Sequence, residues 1–200
     1  MEDQPIYGII ILAAGNSSRL GEPKQLLRYK SKSLIRNVTE SALEVPGAHV
    51  ILVIGANEES VSGEVYDLPV QLARNKNWQE GMGSSVRVGM DCLLADDKQF
   101  KGVILAVSDQ PHVSGSLFNE LIAQSNENGN KIVACSYDET MGTPAFFPEQ
   151  YFQLLSGLKG KEGARRILKT LQKEVDTLSF PLGSIDIDTR EDYLNLQQDH

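Results

Sequence analysis

Tyr7-Gly8-Ile9-Ile10-Ile11-Leu12-Ala13-Ala14 runs without a charged side chain into Gly15-Asn16-Ser17-Ser18-Arg19-Leu20-Gly21-Glu22-Pro23-Lys24. A continuous apolar run rich in β-branched residues predicts a strand buried on both faces, the usual condition of parallel sheets. The polar, glycine-bounded stretch behind it predicts a loop leaving the carboxyl end of that strand. Open α/β sheets bind their ligands in this position. Fold and candidate site are therefore read from the same stretch.

Working outward, apolar residues after Ser33 fall at Leu34, Ile35, Val38, Ala42 and Leu43, which is helical spacing. Pro46-Gly47 ends that helix, residues 50–54 form a second buried strand, and a short acidic segment leads to a third strand at residues 70–73. Ser84 and Ser85 are placed to cap a helix that carries Val86, Met90, Leu93 and Leu94 on one face. Residues 102–107 predict a fourth buried strand that ends at Ser108-Asp109-Gln110-Pro111, and Leu117, Phe118, Leu121 and Ile122 mark the next helix. A strand follows at residues 131–137. Thr143-Pro144-Ala145-Phe146-Phe147 reads as a short strand in which Pro144 suits an edge or entry position. Helical stretches at 149–155 and 163–171, a strand at 175–180 and the tail Asp186-Ile187-Asp188-Thr189 complete the chain. Strand and helix alternate throughout, which predicts an α/β domain over residues 1–200 with a mixed, mostly parallel sheet and right-handed crossovers.

Composition narrows the function. The chain has 200 residues, with 19 Lys and Arg against 27 Asp and Glu, for a net charge of −8. That balance argues against a general nucleic-acid binder, which carries a basic footprint. A small anionic ligand remains compatible, because a few placed cations reverse the field locally. Cys92 and Cys135 sit in apolar stretches and read as buried hydrophobes. No apolar run approaches the ~20 residues needed to span a bilayer. The acidic start Met1-Glu2-Asp3-Gln4-Pro5 is unlike a signal peptide, so the expected location is the cytoplasm.

The loop after the first strand fails two phosphate motifs. Ser17 occupies the second glycine position of G-x-G-x-x-G, and Glu22 follows Gly21 where a P-loop needs Lys. It still places Arg19 and Lys24 five residues apart among small residues that let backbone N–H groups approach an anion. Arg supplies a planar fork of donors and Lys a compact charge, a pairing suited to a polyphosphate. Asp109, at the end of a buried strand, is of the type that ligates Mg²⁺ bridging phosphate oxygens; it also reads as a simple turn cap. Gly81-Met82-Gly83-Ser84-Ser85 opens a helix with flexible backbone and hydroxyls fit to wrap a base or ribose. Asp186 and Asp188, at strand spacing, share one face and offer a second carboxylate. His49, His112 and His200 lack metal-ligand spacing, His112 reads as a turn residue, and no G-x-S-x-G elbow is present.

Taken together, the segment 12–27, Gly81-Met82-Gly83-Ser84-Ser85-Val86-Arg87-Val88-Gly89-Met90 and Ser108-Asp109-Gln110-Pro111 resemble the MobA-like nucleotidyltransferases, and within them the molybdenum cofactor cytidylyltransferases. Gly142-Thr143-Pro144-Ala145-Phe146-Phe147, Gly163-Ala164-Arg165 and Asp186-Ile187-Asp188-Thr189 extend the match in order. The resemblance implies a Rossmann-like, three-layer domain of the nucleotide-diphosphosugar transferase type. It implies transfer of CMP from CTP to the terminal phosphate of molybdenum-bound molybdopterin, with release of pyrophosphate. Leu12, Ala13, Ala14 and Gly15 would lie against the base, with Gly81, Met82 and Ser85 completing the nucleotide pocket. Arg19 and Lys24 would hold the triphosphate, Asp109 would ligate Mg²⁺, and Asp188 would be a second ligand.

The Ala14-Gly15 pair and the Asp109-Gln110-Pro111 triplet resemble the cytidylyl type, whereas guanylyl relatives tend to carry Gly-Gly in the first loop. Three positions depart from the pattern: Ser108 replaces a common Cys, Lys161 stands where Asp is usual, and Arg190 where Pro is usual. Other readings are the same fold acting on GTP or on a sugar or alditol phosphate. A different class is a non-catalytic carrier delivering the cofactor to a molybdenum hydroxylase apo-enzyme, the partner that either molybdenum reading implies.

Overall fold

The computed structural model describes residues 6–17, 20–185, 187 and 189–198. In chain order the elements are β1 (Ile6–Leu12), β2 (Arg28–Tyr29), β3 (Lys32–Ser33), α1 (Leu34–Leu43), β4 (His49–Ile54), α2 (Glu58–Gly63) and β5 (Gln71–Arg74). There follow α3 (Met82–Leu94), β6 (Phe100–Val107), α4 (Gly115–Glu127), β7 (Ile132–Tyr137), β8 (Thr140–Pro148), α5 (Phe152–Ser156), α6 (Ala164–Thr170), β9 (Val175–Ser179) and α7 (Arg190–Gln198). Among the described residues the main sheet has seven strands in the order β5-β4-β1-β6-β8-β7-β9.

β1 pairs in parallel with β4 on one edge and β6 on the other, and β4 pairs in parallel with β5. Period-two alternation sends successive side chains of each strand to opposite faces. Ile9, Ile11, Leu52, Ile54, Ile104 and Phe146 enter one core with Ile35 and Val38 of α1 and Phe118 and Leu121 of α4. Ile10, Val53, Leu105 and Phe147 enter the other with Val86, Met90 and Leu93 of α3, Phe152 of α5 and Leu168 of α6. Two helical layers thus cover a sheet that is apolar on both sides, the three-layer α/β arrangement expected from the sequence. Among the described residues no helix is long and apolar enough to cross a membrane.

β8 breaks the parallel pattern. Asp138 and Glu139 both adopt positive φ (45° and 57°), as a tight hairpin turn demands, and β8 folds back antiparallel to β7. Its other edge pairs antiparallel with β6. The strand expected at 143–147 is therefore longer, and Pro144 lies in an interior strand rather than at an edge. The sheet tolerates it because the β7 register jumps from Ala145 to Gly142 between Ala134 and Cys135, and pairing with β6 stops at Ala145. No ladder bond is asked of the proline nitrogen.

Other expectations change locally. α3 begins at Met82 with Gly81 as its cap, so Ser84 and Ser85 lie inside its first turn instead of capping it. α2, α7 and the small β2–β3 hairpin were not expected from the sequence. Asp186 and Asp188, expected to share one face, fall outside the described residues. Cys135 is fully buried, which pushes its thiol up to about 12 with a further contribution from Glu120, and Cys92 is partly buried and raised likewise. Both are free thiols.

Gly102, in the middle of the sheet, leaves room for the Phe146 ring from β8; a Cβ there would overlap it. Gly102→Ala should destabilise the protein by ~1–3 kcal/mol through overpacking. That corresponds to a drop in Tm of roughly 2–10 °C for a chain of this size, measurable by thermal denaturation.

Candidate nucleotide site

The chain leaves β1 in one direction, towards β4 through α1, and leaves β6 in the other, towards β7 through α4. Connections that diverge from neighbouring strands open a crevice between their carboxyl ends. Here those ends carry Ala13-Ala14-Gly15 and Ser108-Asp109.

The first loop begins as a continuation of the sheet. Ala13 donates its N–H to the Val53 carbonyl (2.9 Å), and the Ala14 carbonyl accepts from the Ala56 N–H (3.1 Å). Gly55 makes this approach possible, since a Cβ there would stand 2.8 Å from the Ala14 oxygen. Gln25, only 1% exposed, then fixes the turn from inside: its Nε2 donates to the carbonyls of Ala13 (3.2 Å) and Gly15 (2.9 Å). The Ser17 hydroxyl donates to Gln25 Oε1 (3.3 Å) and accepts from the Lys24 N–H (3.0 Å). The amide orientation follows from these partners, because only the NH₂ side can serve two carbonyls.

Lys24 heads a single 3₁₀ turn, Lys24–Leu26, and its ammonium pairs with the Asp109 carboxylate. The two residues are 85 apart in sequence and meet only because β6 lies beside β1. The Asp109 carbonyl also accepts from the Ile187 N–H (3.4 Å), which brings the backbone of the tail to the end of β6.

The far wall is the start of α3. Gly81 takes φ 113°, and a Cβ on it would lie 2.7 Å from the Lys161 Cα, so glycine is required by both conformation and contact. Gly83 donates to the Gly160 carbonyl (3.1 Å) and Arg87 to the Leu158 carbonyl (2.5 Å), docking the segment before α6 against α3. Behind α3, Asn75 is 2% exposed; its Nδ2 donates to the hydroxyls of Ser84 (2.8 Å) and Ser85 (3.0 Å).

Together these elements enclose a cavity of about 320 Å³ lined by Leu12, Ala14, Gly15, Lys24, Gly81, Met82, Ser85 and Asp109, with Trp78. Of the residues expected there, Ala13 does not line the cavity: its side chain lies in the core, and its N–H and carbonyl are bonded to Val53 and Gln25. Arg19 and Asp188 lie outside the described residues. A second cavity of about 520 Å³ adjoins the first through Met82, Val107 and Asp109. It reaches Thr140 on the β7–β8 hairpin, Lys161 before α6 and Arg165 in its first turn. Gln110 spans its floor, donating to the carbonyls of Thr143 (3.0 Å) and Gly183 (2.9 Å). Gln25, Asn75 and Gln110 were given no role by the sequence. The signal for Gln25 and Gln110 is an amide beside a strand end or an apolar pair, where burial obliges it to find partners.

A mostly parallel sheet covered on both faces, with its antiparallel strand beyond β6, is the fold of the nucleotide-diphosphosugar transferase type. Residues 9–175 match the MobA-like NTP transferase domain, and the chain belongs to that family. It is similar to the purine catabolism protein PucB of Bacillus subtilis (30% identical, 92% of each chain) and to nicotine blue oxidoreductase of Paenarthrobacter nicotinovorans (29% identical, 97% of this chain and 98% of that one). The crystal structure of Rv0371c from Mycobacterium tuberculosis superposes with a TM-score of 0.81, 26% identity and 98% of each chain covered. Molybdopterin-guanine dinucleotide biosynthesis protein A from Archaeoglobus fulgidus shares the fold (TM-score 0.66, 16% identity, 96% of this chain and 97% of that one).

Gln25→Ala would leave two carbonyls of the first loop without their buried donor. The expected result is a loss of ~1–3 kcal/mol of stability in urea denaturation, the usual desolvation cost of unsatisfied groups. Weakened nucleotide binding should accompany it.

Proposed function

We propose that residues 1–200 act as one cytidylyltransferase domain, moving CMP from CTP to the terminal phosphate of molybdenum-bound molybdopterin and releasing pyrophosphate. The observation that carries this reading is that two cavities share Asp109. The smaller takes the nucleotide, the larger takes the acceptor, and the reacting phosphorus lies where they meet. The sequence motifs that resemble the cytidylyl branch supply the choice of base and acceptor.

The acceptor phosphate oxygen attacks the α-phosphorus of CTP in line. A new P–O bond forms as the bond from that phosphorus to the bridging oxygen of pyrophosphate breaks, and the electron pair leaves with pyrophosphate. The attacking phosphate is already ionised near neutral pH, so no general base is required. Catalysis then consists of positioning and of stabilising charge that grows on the bridging and leaving oxygens. Lys24 is the point charge of this site, and Arg19 is assigned the forked contact to the triphosphate.

A divalent cation suits the residues present. Mg²⁺ usually takes one or two carboxylates, completing its shell with substrate phosphates and water, so a protein cage is not expected. Asp109 presents such a hard oxygen donor into the cavity, and the described residues hold no cluster of three or more His, Cys, Asp or Glu. Asp109, with Asp188 as second ligand, would hold the ion, which supplies Lewis-acid stabilisation of phosphate charge.

Ala14 lines the nucleotide cavity and adds a methyl that crowds a two-ring base more than a one-ring base. A molybdenum hydroxylase apo-enzyme is the proposed recipient of the product, and the cytoplasm the proposed location.

Pyrophosphate release with CTP, GTP and molybdenum-bound molybdopterin tests the reading. CTP should exceed GTP by at least about tenfold in kcat/KM, the scale of one methyl in a pocket. Ala14→Gly should narrow that gap. Equal use of GTP by the wild type overturns the cytidylyl assignment, and absence of pyrophosphate with this acceptor and with sugar and alditol phosphates overturns nucleotidyl transfer.

Asp109→Ala should abolish turnover with the fold intact. Lys24→Ala should lower kcat by ~10²–10³, the cost of losing one preorganised contact to developing charge. Steady-state kinetics of each variant decides, and near-normal rates return the loop to an ordinary surface turn.

A further inference from the structure

Ser85 is 6% exposed and lines the nucleotide cavity, but what its hydroxyl presents there is decided from behind. Asn75 Oδ1 accepts the Asn77 N–H (2.9 Å), which fixes the amide so that Nδ2 faces α3. The two Nδ2 protons are then divided between Ser84 Oγ (2.8 Å) and Ser85 Oγ (3.0 Å). Ser84 has carbonyl acceptors of its own, Gly81 O (2.8 Å) and Asn77 O (3.1 Å), within reach of its proton. Ser85 has a lone pair engaged by Asn75 and, among the described residues, no acceptor for its proton. A hydroxyl carries one proton and two lone pairs, so a hydroxyl held in this way offers its proton to the cavity.

Resting on the cytidylyl reading, we propose that Asn75 is a positioning residue that sets nucleotide preference by holding Ser85 as a hydrogen-bond donor to the base. Cytosine presents two neighbouring acceptors, N3 and O2, on its pairing edge. Guanine presents the N1–H and the exocyclic amino group over most of the same edge, and donors facing a donor are left unpaired. The remaining lone pair of Ser85 makes this a preference and not an absolute exclusion. The adjacent Ser84 does not share the role, because its proton is directed to backbone carbonyls of the turn before α3. Asn75 touches no substrate in this scheme and acts only through Ser85.

The test is equilibrium binding of CTP and of GTP, without acceptor, to the wild type, Asn75→Ala, Ser85→Ala and the double variant. Ser85→Ala and Asn75→Ala should each lower CTP affinity by about three- to tenfold, the range of one net hydrogen bond, and lower the CTP:GTP affinity ratio. The double variant should lose no more than Ser85→Ala alone, because Asn75 has nothing to position once the hydroxyl is gone. Asn75→Asp, nearly isosteric, keeps the contact to the Asn77 N–H but turns the second group into an acceptor that draws the Ser85 proton inward. It should reduce the ratio as well, and it serves where Asn75→Ala does not fold.

Additive losses in the double variant, or equal losses for CTP and GTP in both Asn75 variants, overturn the proposal and leave Asn75 a structural residue. Those outcomes are distinct from failure of the cytidylyl reading itself, which shows as no CTP preference in the wild type or no pyrophosphate release in the turnover assay.

Discussion

The crevice depends on the pairing of β1 with β4 on one edge and with β6 on the other. Both faces of β1 are covered: Ile9 and Ile11 are fully buried in one core and Ile10 in the other. A strand held on both edges and both faces has no freedom to shift, since a slip of one residue would exchange its two sets of side chains between the cores. The loop after Leu12 therefore starts from a fixed point, as does Asp109 after β6. The Lys24–Asp109 ion pair joins those two points, so its geometry is inherited from the register of the sheet. Both side chains are mostly buried, so the cost of desolvating the two charges offsets much of their attraction and the pair is weak evidence of stability.

Buried amides carry the precision from the sheet into the loops. Gln25 holds the first loop, Asn75 the start of α3, and Gln110 the segments around Thr143 and Gly183. Gln25 and Asn75 use both the donor and the acceptor end of the amide, whereas Gln110 reaches two carbonyls with its donor end alone, its buried Oε1 having no hydrogen-bond partner among the described residues. In a low-dielectric interior these bonds gain strength, and an unsatisfied group becomes costly, so such clamps favour one arrangement of loop over its neighbours. Gly55 and Gly81 act by the opposite means, removing side-chain volume where two backbones touch.

The sequence made the strands of the parallel half legible, because a strand apolar on both faces leaves an uninterrupted run. It also located Lys24 on the loop after β1 and Asp109 just past β6, beyond the strand ends where ligands collect. It put Asp109 in one crevice with Lys24 but not the direct ion pair between them, since side-chain contact across neighbouring strand ends has no local signature. β8 departs from expectation for a related reason: Pro144 argues for an edge or entry position only if pairing reaches it, and the register jump beside Ala145 spares it. Ser84 and Ser85 looked like caps because hydroxyls before an apolar helical stripe usually are, whereas Gly81 at φ 113° starts the helix earlier. The short hairpin β2–β3 and α7 carry too few periodic residues to register as elements. They fold around a separate cluster of Leu27, Tyr29, Leu34, Ile187 and Leu196 that exists only once the tail returns to the first loop.

The division of the sheet into two halves has a consequence for chemistry. The nucleotide cavity is built from the parallel half and the elements docked on it, the loop after β1, α3 and the end of β6. The larger cavity is built from the antiparallel half, the β7–β8 hairpin and the segment before α6. In the proposed reaction these two groups of elements hold the two substrates, and the end of β6 with Met82 at the start of α3 belongs to both. An in-line transfer requires the attacking oxygen and the leaving oxygen to approach one phosphorus from opposite sides, which two abutting cavities supply without either substrate entering the other's pocket. In that scheme the acceptor would be read by the hairpin and the segment before α6, where Lys161 departs from the family pattern, separately from the β1 loop and α3.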